Sequence, residues 1–190
     1  MSGDWNVAQV VAQLAVGEYH AIQQEDELAE LLRRVMGLWP KIIIEIGCDA
    51  GGTLYAWRQL CGEVYGITLP VSPPGEGMFA QGVHPLNPHG ARVYFGDSHG
   101  RDAYLWLTRQ LDGRKADFLF IDGDHDPYGV LADFDMYGHL VRPGGVIALD
   151  DVVNPDLSVR LAWLTISATH PRTEVIRRGS LPAGIGIVHA

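Results

Sequence analysis

Residues 42–53 read Ile42-Ile43-Ile44-Glu45-Ile46-Gly47-Cys48-Asp49-Ala50-Gly51-Gly52-Thr53. The first five are β-branched almost without interruption, which a strand buried on both faces of a parallel sheet requires. Gly47 stops the run. A helix is expected from about Thr53 to Leu60, so the glycines fall in a strand-to-helix turn. There they permit close backbone approach, and the helix N-terminus offers free N–H groups to an anion. The spacing G-x-x-x-G-G departs from the dinucleotide pattern G-x-G-x-x-G and lacks the P-loop lysine. Alone, such a turn is weak evidence for a ligand.

Working outward, the spacing of Leu28, Leu31, Leu32 and Val35 predicts a helix over Gln23–Met36, within an N-terminal helical segment spanning residues 1–40. Glu25, Asp26 and Glu27 open it and Arg33 and Arg34 close it, as the helix dipole favours. Downstream strands are legible at Val64–Thr68, Arg92–Phe95, Asp117–Ile121 and Val146–Leu149, with helices at about Asp102–Leu111 and Val130–Leu140 between them. That alternation implies parallel pairing and a three-layer α/β architecture. After a helix at about Leu157–Ala168, Thr173–Ile176 and Gly184–Val188 read as an antiparallel pair at the end of the sheet. Leu69–Gly90 breaks the rhythm with five prolines and four glycines, the composition of a lid, a binding loop or a disordered stretch. No internal repeat or second domain is visible, so residues 1–190 are read as one domain.

Composition narrows the function classes. Hydrophobic residues make up 47% and charged residues 19%, an ordinary globular balance. The net charge of −9, with no basic cluster longer than Arg33-Arg34 or Arg177-Arg178, argues against nucleic acid as a partner. No apolar run is long enough for a membrane span. Met1–Asn6 lacks a signal-peptide pattern, so the expectation is a cytoplasmic protein. Cys48 and Cys61 make no disulfide framework.

In open parallel sheets ligands bind beyond the carboxyl ends of the strands. The third strand ends in Gly96-Asp97-Ser98-His99, the fourth in Ile121-Asp122-Gly123-Asp124-His125-Asp126, and the fifth in Leu149-Asp150-Asp151 after Arg142-Pro143-Gly144-Gly145. If the first, fourth and fifth strands are neighbours, Asp122, Asp150 and Asp151 converge at one edge. Crowded carboxylates need a cation or hydrogen bonds, and oxygen-only ligation suits Mg²⁺, Mn²⁺ or Ca²⁺. Solvated loop residues or helix N-caps are the bland alternative, preferred for Asp126, which precedes Pro127 and a helix.

Together, Glu45-Ile46-Gly47-Cys48-Asp49-Ala50-Gly51-Gly52, Gly96-Asp97-Ser98, Ile121-Asp122-Gly123-Asp124-His125 and Pro143-Gly144-Gly145 leading to Asp150-Asp151 resemble class I S-adenosylmethionine-dependent methyltransferases. Within that class the run from Gln23 to Asp151 is most similar to metal-dependent sugar O-methyltransferases of macrolide biosynthesis and to cephalosporin hydroxylase-type relatives. The resemblance implies a Rossmann-like sandwich with a mostly parallel seven-stranded sheet. It implies S-adenosylmethionine bound beside Glu45, with its methionine end along Gly47, Cys48, Gly51, Gly52 and Thr53, and Asp97 and Ser98 at the adenine. It further implies a divalent metal on Asp122, Asp150 and Asp151, His125 as catalytic base, a small-molecule hydroxyl acceptor, and a homodimer. Thr68 stands where the family usually carries the acid that takes the ribose hydroxyls, and a neutral hydroxyl makes only part of that bonding. Tyr19 and Phe79 are aromatic candidates for the acceptor pocket. Two rivals remain at this stage: a non-catalytic nucleoside-binding or regulatory subunit, and a hydroxylase-type component.

Overall fold

Along β1 (Ile42–Ile46) side chains alternate between two cores, and this alternation builds the layers. Ile42, Ile44 and Ile46 face one core with Leu107, Leu119, Ile121 and Tyr137, while Ile43 faces the other with Leu28, Trp57, Phe118 and Phe120. The computed structural model describes residues 2–70, 86–155, 158–178 and 183–190. Residues 71–85, most of the expected lid, and Phe79 with them, lie outside the described residues.

The order is α1 (Ser2–Gly17), α2 (Glu25–Met36), β1, α3 (Gly52–Leu60), β2 (Glu63–Thr68), β3 (Arg92–Phe95), α4 (Arg101–Leu111), β4 (Ala116–Ile121), α5 (Pro127–Tyr137), β5 (Val141–Leu149), α6 (Val159–Thr169), β6 (Thr173–Ile176) and β7 (Ile185–His189). The sheet runs β3-β2-β1-β4-β5-β7-β6, parallel except where β7 pairs with β5 and β6. Seven strands, mostly parallel with an antiparallel C-terminal pair, match the expected Rossmann-like sandwich. Chain order reverses between β1 and β4, so the switch point lies beyond Ile46 and Ile121.

Two boundaries differ from expectation for local reasons. The fifth helix starts at Pro127 rather than near Val130, because Asp126 caps it by accepting from the Tyr128 N–H at 2.9 Å and proline suits the first helical position. β5 begins at Val141, so Arg142-Pro143-Gly144-Gly145 is an irregular stretch of strand, where pairing with β4 shifts register between Ala116 and Phe118. No helix among the described residues is long and apolar enough to cross a membrane.

Candidate active site

Hydrogen bonding continues one residue past the strands and aligns the site. Gly47 N–H donates to Ile67 O, Asp122 N–H to Ile46 O and Gly96 N–H to Thr68 O, each at 2.8 Å, and Asp150 N–H to Ile121 O at 3.1 Å. Gly47, Asp122 and Asp150 therefore stand in a row across the switch point, with Thr68 and Gly96 on the flank.

The carboxylates in that row meet as a pair. Gln23 Nε2, just ahead of α2, donates to Asp122 Oδ2 at 2.5 Å and to Asp150 Oδ2 at 3.1 Å. Burial first, then Asp150 and other neighbouring carboxylates, push the Asp122 carboxyl well above its usual range. Burial and the adjacent Asp151 push Asp150 up to about 7. Two oxygen donors withdrawn from water and repelling each other are what a hard divalent cation offsets, so the pair fits one in its chemistry.

Asp151 does not join them. Its Oδ2 faces His125 Nε2 at 3.8 Å, and among the described residues no three acidic, histidine or cysteine side chains close on one point. The expected three-carboxylate cluster is thus a pair plus an outlying Asp151–His125 contact. The reason is local: Asp151 has φ 58 and starts a turn in which its carbonyl accepts from Asn154 N–H at 3.1 Å. His125 is exposed on the loop after β4.

At the expected methionine end of the cofactor, the glycines are required by the chain itself. A Cβ on Gly51 would collide with the Asn87 backbone, and one on Gly52 with the backbone of Tyr19 and Ala21. Asn87 N–H donates to Ala50 O at 3.0 Å, pinning the residues after the undescribed segment onto the turn. Tyr19 stacks on Tyr55 at 4.0 Å between ring centroids, and His89 packs edge-on against Tyr19 at 4.8 Å. The connector between α1 and α2 and the segment Leu86–Gly90 thus roof the glycine turn.

The side chains of Glu45, Cys48, Thr53 and Thr68 are buried. Glu45 lies in the core, where burial lifts its carboxyl to about 8; Thr53 and the Trp57 indole face it and pull the other way, without completing hydrogen-bond geometry. The Cys48 thiol is held in the interior beneath the turn, leaving its backbone as the part that can meet a ligand. Its N–H donates to Thr68 Oγ1 at 3.3 Å, so the Thr68 hydroxyl is engaged within the chain.

On the flank, Asp97 is exposed and its Oδ1 accepts from His99 N–H at 2.9 Å, while Ser98 O accepts from Tyr137 Oη at 2.5 Å. His99 Nε2 lies 3.4 Å from the fully buried Asp133, whose carboxyl burial raises to about 6. Sequence reasoning missed Gln23, Tyr55, His89 and Asp133. Each sits among ordinary helix or loop residues, and only the fold brings it to the site. Exposed Leu69 and Phe95, directly after β2 and at the end of β3, add apolar surface beside Thr68.

Residues 44–152 match the family described as "Methyltransferase domain". An uncharacterised protein of Acanthamoeba polyphaga mimivirus is 30% identical over 110 residues, 57% of this chain, which spans 50% of that protein's length. Among solved structures, an O-methyltransferase from Bacillus cereus in complex with SAH is 21% identical, with a TM-score of 0.60 covering 100% of this chain and 92% of its own. The MycE methyltransferase of mycinamycin biosynthesis, in complex with Mg, SAH and mycinamycin VI, is 16% identical, with a TM-score of 0.61 covering 96% of this chain and 54% of its own. The O-methyltransferase TomG of Streptomyces achromogenes, involved in tomaymycin synthesis and in complex with SAM, is 19% identical, with a TM-score of 0.59 covering 96% of this chain and 90% of its own. At these identities the likeness concerns the fold.

Proposed function

The chain belongs to the methyltransferase domain family, and from that premise we propose that it is an S-adenosylmethionine- and divalent-metal-dependent O-methyltransferase acting on a small-molecule hydroxyl, a sugar or natural-product glycoside. The observation that carries this reading is the Asp122–Asp150 pair beside the glycine turn at the switch point, with His125 on the next loop. The sugar assignment leans on the resemblance to sugar O-methyltransferases, and the MycE complex holds Mg, SAH and mycinamycin VI.

Methyl transfer from a sulfonium is an in-line displacement by an oxygen nucleophile, so the protein must align the acceptor and remove its proton. Asp122 and Asp150 would hold the cation, which when bound would supply a Lewis acid that lowers the acceptor hydroxyl's pKa. His125 takes the proton at Nε2 as the oxygen gains the methyl group, and the Asp151 carboxylate beside it offsets the imidazolium charge. The roof from Tyr19–Ala21 and Leu86–Gly90 excludes water from the methionine end.

The Thr68 observation favours one second reading. Because its hydroxyl already serves Cys48, ribose recognition is weaker than an acid would give, as in a nucleoside-binding subunit without turnover. Release of S-adenosylhomocysteine, measured with Mg²⁺ across sugar, polyol and phenolic acceptors, separates the readings. Turnover on a hydroxyl acceptor supports the enzyme, whereas tight cofactor binding without product from any acceptor supports the subunit.

A further inference from the structure

Gln23 holds the ground on which a cation would stand. Its Nε2 is 2.5 Å from Asp122 Oδ2 and 3.1 Å from Asp150 Oδ2, so one amide nitrogen serves both carboxylates. A divalent cation binding those same oxygens would lie about 2.0–2.6 Å from each. That position overlaps the nitrogen, and a positively polarised NH₂ would face the ion. Resting on the proposed metal-dependent reading, we propose that Gln23 is a placeholder: its amide satisfies the two acids in the metal-free protein and leaves when the cation enters.

Chemistry and placement agree. An amide supplies two N–H donors without a formal charge, enough to partner two carboxylate oxygens yet replaceable by a stronger Lewis acid. Gln23 lies on the connector whose Tyr19–Ala21 backbone roofs Gly52, and it directly precedes Gln24, the N-cap residue of α2. Release of the amide therefore acts on the same short connector that covers the expected methionine end.

The test compares wild type with Gln23→Ala in the full chain, titrating Mn²⁺ by calorimetry and melting each protein with and without saturating Mn²⁺. Losing the competitor tightens Mn²⁺ binding by about tenfold, because a hydrogen bond to a charged group no longer has to be broken. The variant melts lower than wild type without metal, and the gap closes with Mn²⁺, since neither protein then uses residue 23 at the acids. A merely structural glutamine would leave the gap open in both conditions. Weaker Mn²⁺ binding in the variant would make Gln23 a ligand and overturn the inference, and equal affinity would overturn it while leaving the metal reading intact. No Mn²⁺ binding to either protein would overturn the metal reading and the inference together. If Gln23→Ala fails to fold, Gln23→Asn carries the same comparison, because the shorter amide cannot serve both oxygens.

Discussion

Asp117 and Asp122 mark the two ends of β4: the first lies near its start, the second just past its last residue. Their surroundings are opposite. Burial raises the Asp117 carboxyl, but Arg142 Nε at 2.6 Å and the backbone N–H groups of Lys41 and Ile42 outweigh it, so it ends below its ordinary value. Asp122 is partly buried beside the Asp150, Glu45 and Asp151 carboxylates, with the Gln23 amide as its side-chain partner among the described residues, and it ends well above its ordinary value. Around Asp117 a cleft of about 470 Å³ is lined by Lys41, Arg114, Lys115 and Arg142, yet the cations there are largely spent. Arg114 bonds to Glu63, Lys115 to the His139 carbonyl and Arg142 to Asp117. The size of a cleft therefore says little about chemistry here. A satisfied edge holds the sheet together, and a frustrated edge waits for something to bind.

The largest effect expected from this contrast is on turnover. Asp122→Ala removes half the carboxylate pair, and activity should fall by several orders of magnitude and recover partly at high Mg²⁺. His125→Ala should lower turnover by roughly 10²–10⁴-fold while Mn²⁺ and S-adenosylhomocysteine affinities stay near wild type. Paired titration and product assays check both. If His125→Ala loses metal as severely as Asp122→Ala, the histidine is a ligand and its assigned role is wrong.

At the satisfied edge the effect should be on stability alone. Asp117→Ala strands the Lys41 and Ile42 N–H groups and should cost about 2–3 kcal/mol by denaturant unfolding, with cofactor affinity unchanged. Because the folded Asp117 carboxyl lies below its ordinary value, its contribution is present above about pH 4 and fades as pH falls through the folded value. The gap between wild type and Asp117→Asn should narrow over that acid range. An acid-independent gap would mean that the carboxylate charge is not what matters.

How much of this was legible in the sequence depends on how local the cause is. The β-branched run Ile42–Ile46 specifies strand burial directly, and the alternation that follows it implies mostly parallel pairing, while the order β3-β2-β1-β4-β5-β7-β6 comes from the fold. Asp126 was readable as a cap because proline follows it. The three-acid cluster was not readable in full: position placed Asp150 and Asp151 at the edge, but Asp150 shares the Gln23 amide with Asp122 while Asp151 faces His125. Gln23 was invisible for another reason. Its partners are 99 and 127 residues away, and no local pattern marks an amide that will meet two acids.

A smaller effect tests the buried face of the same edge. The Glu45 carboxyl, raised to about 8 by burial, favours folding in its protonated form. That stability is fully present below about pH 4.5 and is lost as pH rises through 8. Wild type should therefore lose a few kcal/mol between pH 5 and 8 that Glu45→Gln does not, read as the difference in slope of unfolding free energy against pH. Parallel slopes would place the Glu45 titration elsewhere. Smallest of all, Thr68→Asp should tighten S-adenosylhomocysteine binding about fivefold, since one carboxylate oxygen can keep the Cys48 N–H while the other takes a ribose hydroxyl. Unchanged affinity would show that residue 68 does not face the ribose.

The central claim is that the frustrated edge is where S-adenosylmethionine and a cation meet. Its most direct test is calorimetric titration of S-adenosylhomocysteine into wild type and Asp97→Ala with Mg²⁺ present. Asp97 sits on the row's flank, and among the described residues its side chain meets the adjacent His99 N–H and ring. The account predicts micromolar affinity for wild type, on the order of −8 kcal/mol, and at least tenfold weaker binding for the variant. No binding by wild type at millimolar ligand, or equal binding by both proteins, would contradict it.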